Sequence, residues 1–330
     1  MNKKLKRNIT KLLICGGGFK FFYIVGALKY LAEINILYSI NEYIGVSAGA
    51  VLALFFNIGY TLDELDTFFL EFNFEKMLDP HIDSLLDNKG LDDGELKKFI
   101  IQHFLKNKNY HPSVTFKELY EMTNKKLTFF VTNITINKLE EINYETYPDM
   151  PVWIGIGMTT ALPILYQPII YNNNYFVDGA VFDNYPIELY SDENILGINL
   201  ITNVSNIDFD IDFFNYIIKL MYMSHHWKII NKNNAFKHCT ITISTNDSSD
   251  MFNPEVSLEI RKNRINDGYE SAVAHFMEYE FIDIPEEKES NESEESKEPD
   301  ESKESEELKE SEEFDNAYIE KKVNEINYVV

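Results

Sequence analysis

Two rhythms of apolar and polar positions run through the first part of the chain. Apolar β-type runs, Lys11 to Cys15 and Tyr43 to Val46, are each followed by an apolar run of helical length, Phe21 to Ile34 and Ala48 to Ile58. Such alternation is the mark of parallel β-α-β units. Further along, Lys126 to Ile136, Lys138 to Tyr144, Asn194 to Leu200 and Thr240 to Ser244 read as strands, and helices are predicted near 211 to 230 and 257 to 279. Three helix starts carry capping-box spacing: Thr61 with Glu64, Thr115 with Glu118, and a looser version at Asp92 with Glu95. Residues 61 to 123 are therefore expected to form a helical insert. The pattern predicts an α/β domain over residues 1–285, with a mostly parallel central sheet and helices on both faces. No internal repeat is visible.

Composition changes this picture at the C-terminal end. Residues 286–313 hold 14 Glu and one Asp against four Lys, a net charge of −11 out of the formal −24 of the whole chain. A segment this polar and charged is expected to be disordered, a solvating spacer or a binding or phosphorylatable stretch. Residues 314–330 form a short tail apolar enough to dock on a surface that the sequence leaves open, so the tail's partner is unknown. The remaining −13 argues against nucleic-acid binding and against strong attraction to anionic membranes, leaving only local, transient contact with a membrane surface. Only Cys15 and Cys239 are present, which gives no disulfide framework and suits a reducing compartment. The apolar run behind the basic N-terminus, Leu12 to Cys15, is too short for a signal peptide. The longest apolar stretch, Ala48 to Ile58, falls below the roughly 17 residues that span a bilayer. An intracellular protein is expected, cytoplasmic or peripheral at a membrane surface.

Three motifs carry candidate chemistry. In Gly45-Val46-Ser47-Ala48-Gly49 a serine stands between two glycines where a predicted strand meets a predicted helix. A sharp strand-to-helix turn with small neighbours, here Gly45 and Gly49, exposes a nucleophilic hydroxyl on a strained backbone. Gly16-Gly17-Gly18-Phe19-Lys20 closes one strand-like run and opens a helix-like run. Amides free of side chains at a helix N-terminus can receive the negative oxygen of a tetrahedral ester intermediate. A nucleotide loop fits poorly, because the dinucleotide spacing needs glycine at Phe21 and the triphosphate motif is absent. Asp178-Gly179-Ala180 puts a carboxylate at the end of a short strand, within reach of Ser47; partial burial would raise its pKa toward that of a proton acceptor.

Together, and in this order, these motifs resemble the patatin-like phospholipase family, whose pattern is a glycine-rich oxyanion loop, Gly-x-Ser-x-Gly, then Asp-Gly-Gly/Ala. The resemblance extends to Gly26-Ala27-Leu28, Val131-Thr132-Asn133 and Ala161-Leu162-Pro163, and covers about residues 11 to 200. It implies a three-layer α/β/α fold and a lipid acyl hydrolase acting on phospholipids, lysophospholipids or glycerides. Carried over by position, Ser47 would be the nucleophile, Asp178 the base, and Gly16, Gly17 and Gly18 the oxyanion loop. The resemblance implies no histidine. Phe21 departs from the family, which usually has glycine after the basic residue, here Lys20; the departure bears on oxyanion geometry or the entrance to the site.

Two other readings compete. An α/β-hydrolase triad would draw on His226, His238 or His275, although the serine comes early for that fold. A silent lipid-binding or scaffold protein would keep the site without turnover. No cofactor or metal is predicted. His225 and His226 are adjacent and so point apart on a helix, and Asp208, Asp210 and Asp212 lack the glycine and glutamate of a calcium loop. Phe19, Phe21, Phe22 and Tyr23 either line a lipid channel or pack in the core. Cys15 reads as a small buried residue.

Overall fold

The computed structural model describes residues 3–5, 7–77, 80–190, 194–202, 216, 217, 220, 231, 232, 234–245 and 255–283. Its centre is an eight-stranded sheet of β1 (Lys11–Ile14), β2 (Glu42–Val46), β3 (Lys126–Asn133), β4 (Lys138–Ile142), β5 (Ile169–Tyr171), β6 (Asn174–Asp178), β7 (Ile195–Thr202) and β8 (Thr240–Thr245). The strand order is β8-β7-β1-β2-β3-β6-β5, with β4 also paired to β3. Strands β8, β7, β1, β2 and β3 run parallel, whereas β4, β5 and β6 join antiparallel. The fold is thus α/β with a mostly parallel sheet flanked by helices.

The parallel strands are buried as such strands must be when both faces are covered. Leu12, Leu13 and Ile14 of β1 are all fully buried, as are Ile44 and Val46 of β2. The described helices are α1 (Phe21–Glu33), α2 (Ala48–Asn57), α3 (Leu62–Glu71), α4 (Glu95–Asn107), α5 (Phe116–Thr123), α6 (Val152–Thr159) and α7 (Leu258–His275), with shorter ones at Ile36–Ser39 and Ile82–Asn88. α1 packs against α7, and both reach β8; α2 lies on β2 and β3, and α6 on β3, β5 and β6.

Residues 61 to 123 form the expected mainly helical insert. Thr61 and Thr115 close full capping boxes with Glu64 and Glu118. Asp92 does not cap α4. It ends the short strand Gly90–Asp92, which pairs with Ile164–Tyr166, and its carboxylate accepts from the Gly94 amide at 2.6 Å. Gly94 is the N-cap instead, turning the chain at φ 78° without a side-chain cap, and the Asp93 carboxylate accepts from the Glu95 amide at 2.9 Å.

Other boundaries shift by a residue or a few: β3 stops at Asn133 and β4 at Ile142, and α7 ends at His275 in a π-turn. Helix α6 has no counterpart in the sequence prediction. Most of the segment predicted as helix near 211 to 230, all of residues 203–215, and everything after 283 lie outside the described residues, including the histidine pair, the aspartate triplet and the acidic tail.

One feature of the sheet positions the site. Over Phe129–Asn133 one edge of β3 is taken by β4. The opposite edge is shared end to end: β2 pairs with Lys126–Phe130, and β6 with Val131–Asn133. Val46 therefore faces Phe130, and Asp178 faces the next residue, Val131. The residue that follows Val46 is Ser47, so the register itself delivers the serine and the aspartate to one point.

Candidate active site

Ser47 caps α2 with φ 52° and ψ −127°, a conformation that a side-chain-bearing residue adopts only under constraint. The constraint is steric and comes from two neighbours. A Cβ on Gly45 would lie 2.3 Å from the Ala50 Cα, and one on Gly49 would lie 2.3 Å from the Cys15 carbonyl oxygen. The first turn of α2 thus folds back onto β2 and β1 with no room for a methyl group. Thr159, at the end of α6, holds the strained peptide: its Oγ1 accepts from the Ser47 amide at 3.0 Å and donates to the Phe130 carbonyl at 2.7 Å. The Ser47 hydroxyl donates to Asp178 Oδ2 at 2.7 Å.

Asp178 is 1% exposed. Its Oδ1 accepts from the Ala180 amide at 2.8 Å, its own amide donates to the Ala161 carbonyl at 2.9 Å, and its carbonyl accepts from Thr132 Oγ1 at 2.9 Å. Burial pushes the carboxyl up to about 6; the Ser47 hydroxyl, the Ala180 amide and the Lys97 ammonium draw it down. Burial wins, because a charge without water loses more than a few hydrogen bonds return. At neutral pH the group is still ionised, and it sits at hydrogen-bond distance from the proton a base would remove.

The glycine loop meets the serine from the other side. A Cβ on Gly16 would fall 2.9 Å from the Ser47 Cβ and 2.5 Å from Asn184 Oδ1. The amide of Gly16 is not bare, however. It donates to Asn184 Oδ1 at 3.0 Å, and Asn184 Nδ2 donates back to the Gly16 carbonyl at 3.0 Å. Gly16 is thereby pinned to the segment after Asp178. The amides of Gly17 and Gly18 have no partner among the described residues. Gly18 takes φ 50° and opens the 3-10 turn Gly18–Lys20 that leads into α1.

Phe21, Phe22 and Tyr23 are buried, and Phe19 is partly so. Phe21 stacks on Phe22 with centroids 4.2 Å apart and meets Phe69 and Phe74 of the insert. These rings pack in the main hydrophobic core.

Asn184 and Thr159 are site residues that sequence reasoning missed. Each works through a contact more than a hundred positions away in sequence, and only the nearness of Asn184 to Asp178 hinted at it. Among the described residues no group of three or more His, Cys, Asp or Glu could hold a metal ion. His238 is exposed, and His275 packs against the rings of Phe276 and Tyr279. Cys15 is buried, its sulfur accepts from the Leu200 amide, and burial pushes its thiol up to about 12. It is no thiolate.

A probable lipid hydrolase of Invertebrate iridescent virus 6 is 34% identical over 184 residues, 54% of this chain and 62% of that protein. An uncharacterized protein of Acanthamoeba polyphaga mimivirus is 25% identical over 268 residues, 76% of this chain and 89% of the relative. Among solved structures, VipD from Legionella pneumophila superposes with a TM-score of 0.53 at 15% identity, covering 85% of this chain and 69% of that one, a likeness of fold. The family model for patatin-like phospholipases matches residues 12–190, from β1 to just past Asn184, more than half of the chain. With that match spanning the glycine loop, Ser47 and Asp178, the chain belongs to the patatin-like phospholipase family of hydrolases.

Proposed function

We propose that this protein hydrolyses fatty-acyl esters of phospholipids or related glycerolipids through a Ser47-Asp178 dyad and an acyl-enzyme. The observation that carries the reading is the 2.7 Å bond from the Ser47 hydroxyl to Asp178, made at a strained elbow, with the Gly17 and Gly18 amides unpartnered among the described residues. The family membership and the lipid-hydrolase name of the iridescent-virus relative support the substrate class.

In the first step Asp178 takes the hydroxyl proton as Ser47 Oγ attacks the ester carbonyl carbon. The carbonyl oxygen becomes an oxyanion and accepts from the amides of Gly17 and Gly18, while the partial positive charge at the start of α2 lies at the same point. Each such donor is worth about 2.7 to 4 kcal/mol in serine hydrolases. The protonated Asp178 then gives its proton to the departing alcohol, leaving the acyl group on Ser47. Water attacks this ester with Asp178 again as base, and the fatty acid leaves with Ser47 reprotonated. A triad would interpose an imidazole between serine and carboxylate; the direct contact leaves no place for one. Among the described residues no helix is long and apolar enough to cross a membrane.

The test is fatty-acid release from mixed phospholipid vesicles. Wild type should release fatty acid, and a Ser47→Ala variant of unchanged circular dichroism should lose at least about a thousandfold of that rate. Turnover retained in the folded variant would overturn the dyad; binding of fatty acyl ligands by wild type without turnover would favour the silent binder.

A further inference from the structure

Three consecutive residues at the end of α6 are attached to three different parts of the site. Thr159 Oγ1 accepts from the Ser47 amide at 3.0 Å. The Ala161 carbonyl accepts from the Asp178 amide at 2.9 Å. Between them Thr160 presents both its carbonyl and its hydroxyl to the ammonium of Lys97, each at 3.1 Å. Lys97 comes from the insert helix α4, and its ammonium also lies over the Tyr166 ring, 3.1 Å from the centroid. Tyr166 is fixed in turn: its strand pairs with Gly90–Asp92 and its hydroxyl donates to the Met77 carbonyl at 2.9 Å.

This is an unusual place for a lysine. A surface ion pair would leave the ammonium hydrated, whereas this one is held by a helix-end carbonyl, a hydroxyl and an aromatic face, in the position where a cation complements the negative end of a helix.

We propose that Lys97 is a positioning residue for the Ser47-Asp178 dyad, fastening the Thr159–Thr160–Ala161 hub so that the insert and the two reacting side chains keep one geometry. The proposal rests on the dyad reading above. It makes the insert a working part of the site rather than a cover, because Lys97 bonds to neither Ser47 nor Asp178 and acts through the residues that hold them.

Its charge acts in the same sense. Asp178 is faced by the Ser47 hydroxyl from the start of α2, by the Ala180 amide from its own segment, and by Lys97 from α4, the one charge of the three. Lys97 is faced by Asp92 and Asp178; the phenol of Tyr166, raised by burial and by Asp92, stays neutral. Burial brings the Lys97 ammonium down to about 7, so it is charged while Asp178 titrates near 6. A positive neighbour favours the carboxylate; its removal raises the pH at which Asp178 becomes a base.

The experiment measures kcat/KM against pH, from acid to neutral, on a soluble short-chain ester for wild type, Lys97→Gln, Lys97→Met and Lys97→Arg, with Ser47→Ala alongside. The acid limb reports the base of the free enzyme. In Lys97→Gln and Lys97→Met it should move up by about one pH unit, with a lower plateau in Lys97→Met, which cannot hold Thr160. In Lys97→Arg the limb should stay in place. A lysine that only braces the fold would lower rate or melting temperature and leave the limb where it is, and that result in folded Lys97→Gln overturns the proposal even if Lys97→Met fails to fold. Turnover surviving in Ser47→Ala would instead remove the dyad reading itself.

Discussion

Burial moves Asp178 from an ordinary 3.8 to about 6, and the same shift that readies it as a base must weaken the fold. Between those two values the folded chain holds the proton more tightly than the unfolded chain, so stability falls as pH rises across the window. Above about 6 the loss is complete, at roughly 3 kcal/mol by the linkage of pKa to free energy. Asn can keep both contacts without the charge, its oxygen accepting from the Ala180 amide and its nitrogen donating to the Ser47 hydroxyl. Asp178→Asn should therefore be inactive yet more stable than wild type by about 1 to 3 kcal/mol at pH 7.5, with the gain vanishing near pH 4. Urea unfolding at the two pH values checks it, and equal stability at both would contradict it. The residues whose chemistry demands a rare local pattern, Ser47 between glycines and Asp178 before glycine, were legible in the sequence. Thr159, Asn184 and Lys97 were not, because each acts through a partner that only the tertiary fold brings near.

The elements show the same division. Thr61 and Thr115 cap helices as their spacing predicts, since a capping box needs nothing beyond four consecutive residues. Asp92 fails where Gly94 breaks the run and a distant strand claims the backbone. Helix α6 was invisible for a different reason. It is apolar all round, Val-Trp-Ile-Gly-Ile-Gly-Met-Thr, and has no polar face to give it a period; Gly155 is required because a Cβ there would meet the Phe116 ring at 2.8 Å. The insert is tied to the sheet domain by Arg261 of α7. Its Nε donates to the Val256 carbonyl, and its Nη1 to the carbonyls of Phe69, Leu70 and Phe72 at the end of α3, with the guanidinium against the rings of Phe22 and Phe74. A planar fork of donors can serve that many acceptors and a lysine cannot. Arg261→Lys should leave buried carbonyls unpaired and cost about 2 kcal/mol, read as a lower urea midpoint with unchanged slope. A midpoint equal to that of wild type would contradict this role.

Across the molecule, the alternation of strand and helix predicts a parallel sheet, and a mostly parallel sheet is found. Of the antiparallel strands, β4 and β6 escaped only in direction and extent, because a short strand's orientation is set by the partner it meets, and β5 had no counterpart in the sequence reading at all. Yet those strands complete the site: β4 occupies one edge of β3, and β2 and β6 are left to share the other, so that Ser47 and Asp178 meet. The decisive measurement is covalent labelling with a fluorophosphonate, followed by intact mass and peptide mapping of wild type, Ser47→Ala and Asp178→Asn. One adduct should form, on the peptide that contains Ser47; it should be absent from Ser47→Ala and form at least about a hundredfold more slowly in Asp178→Asn. An adduct on another residue, or labelling of folded Ser47→Ala at the wild-type rate, would contradict the dyad.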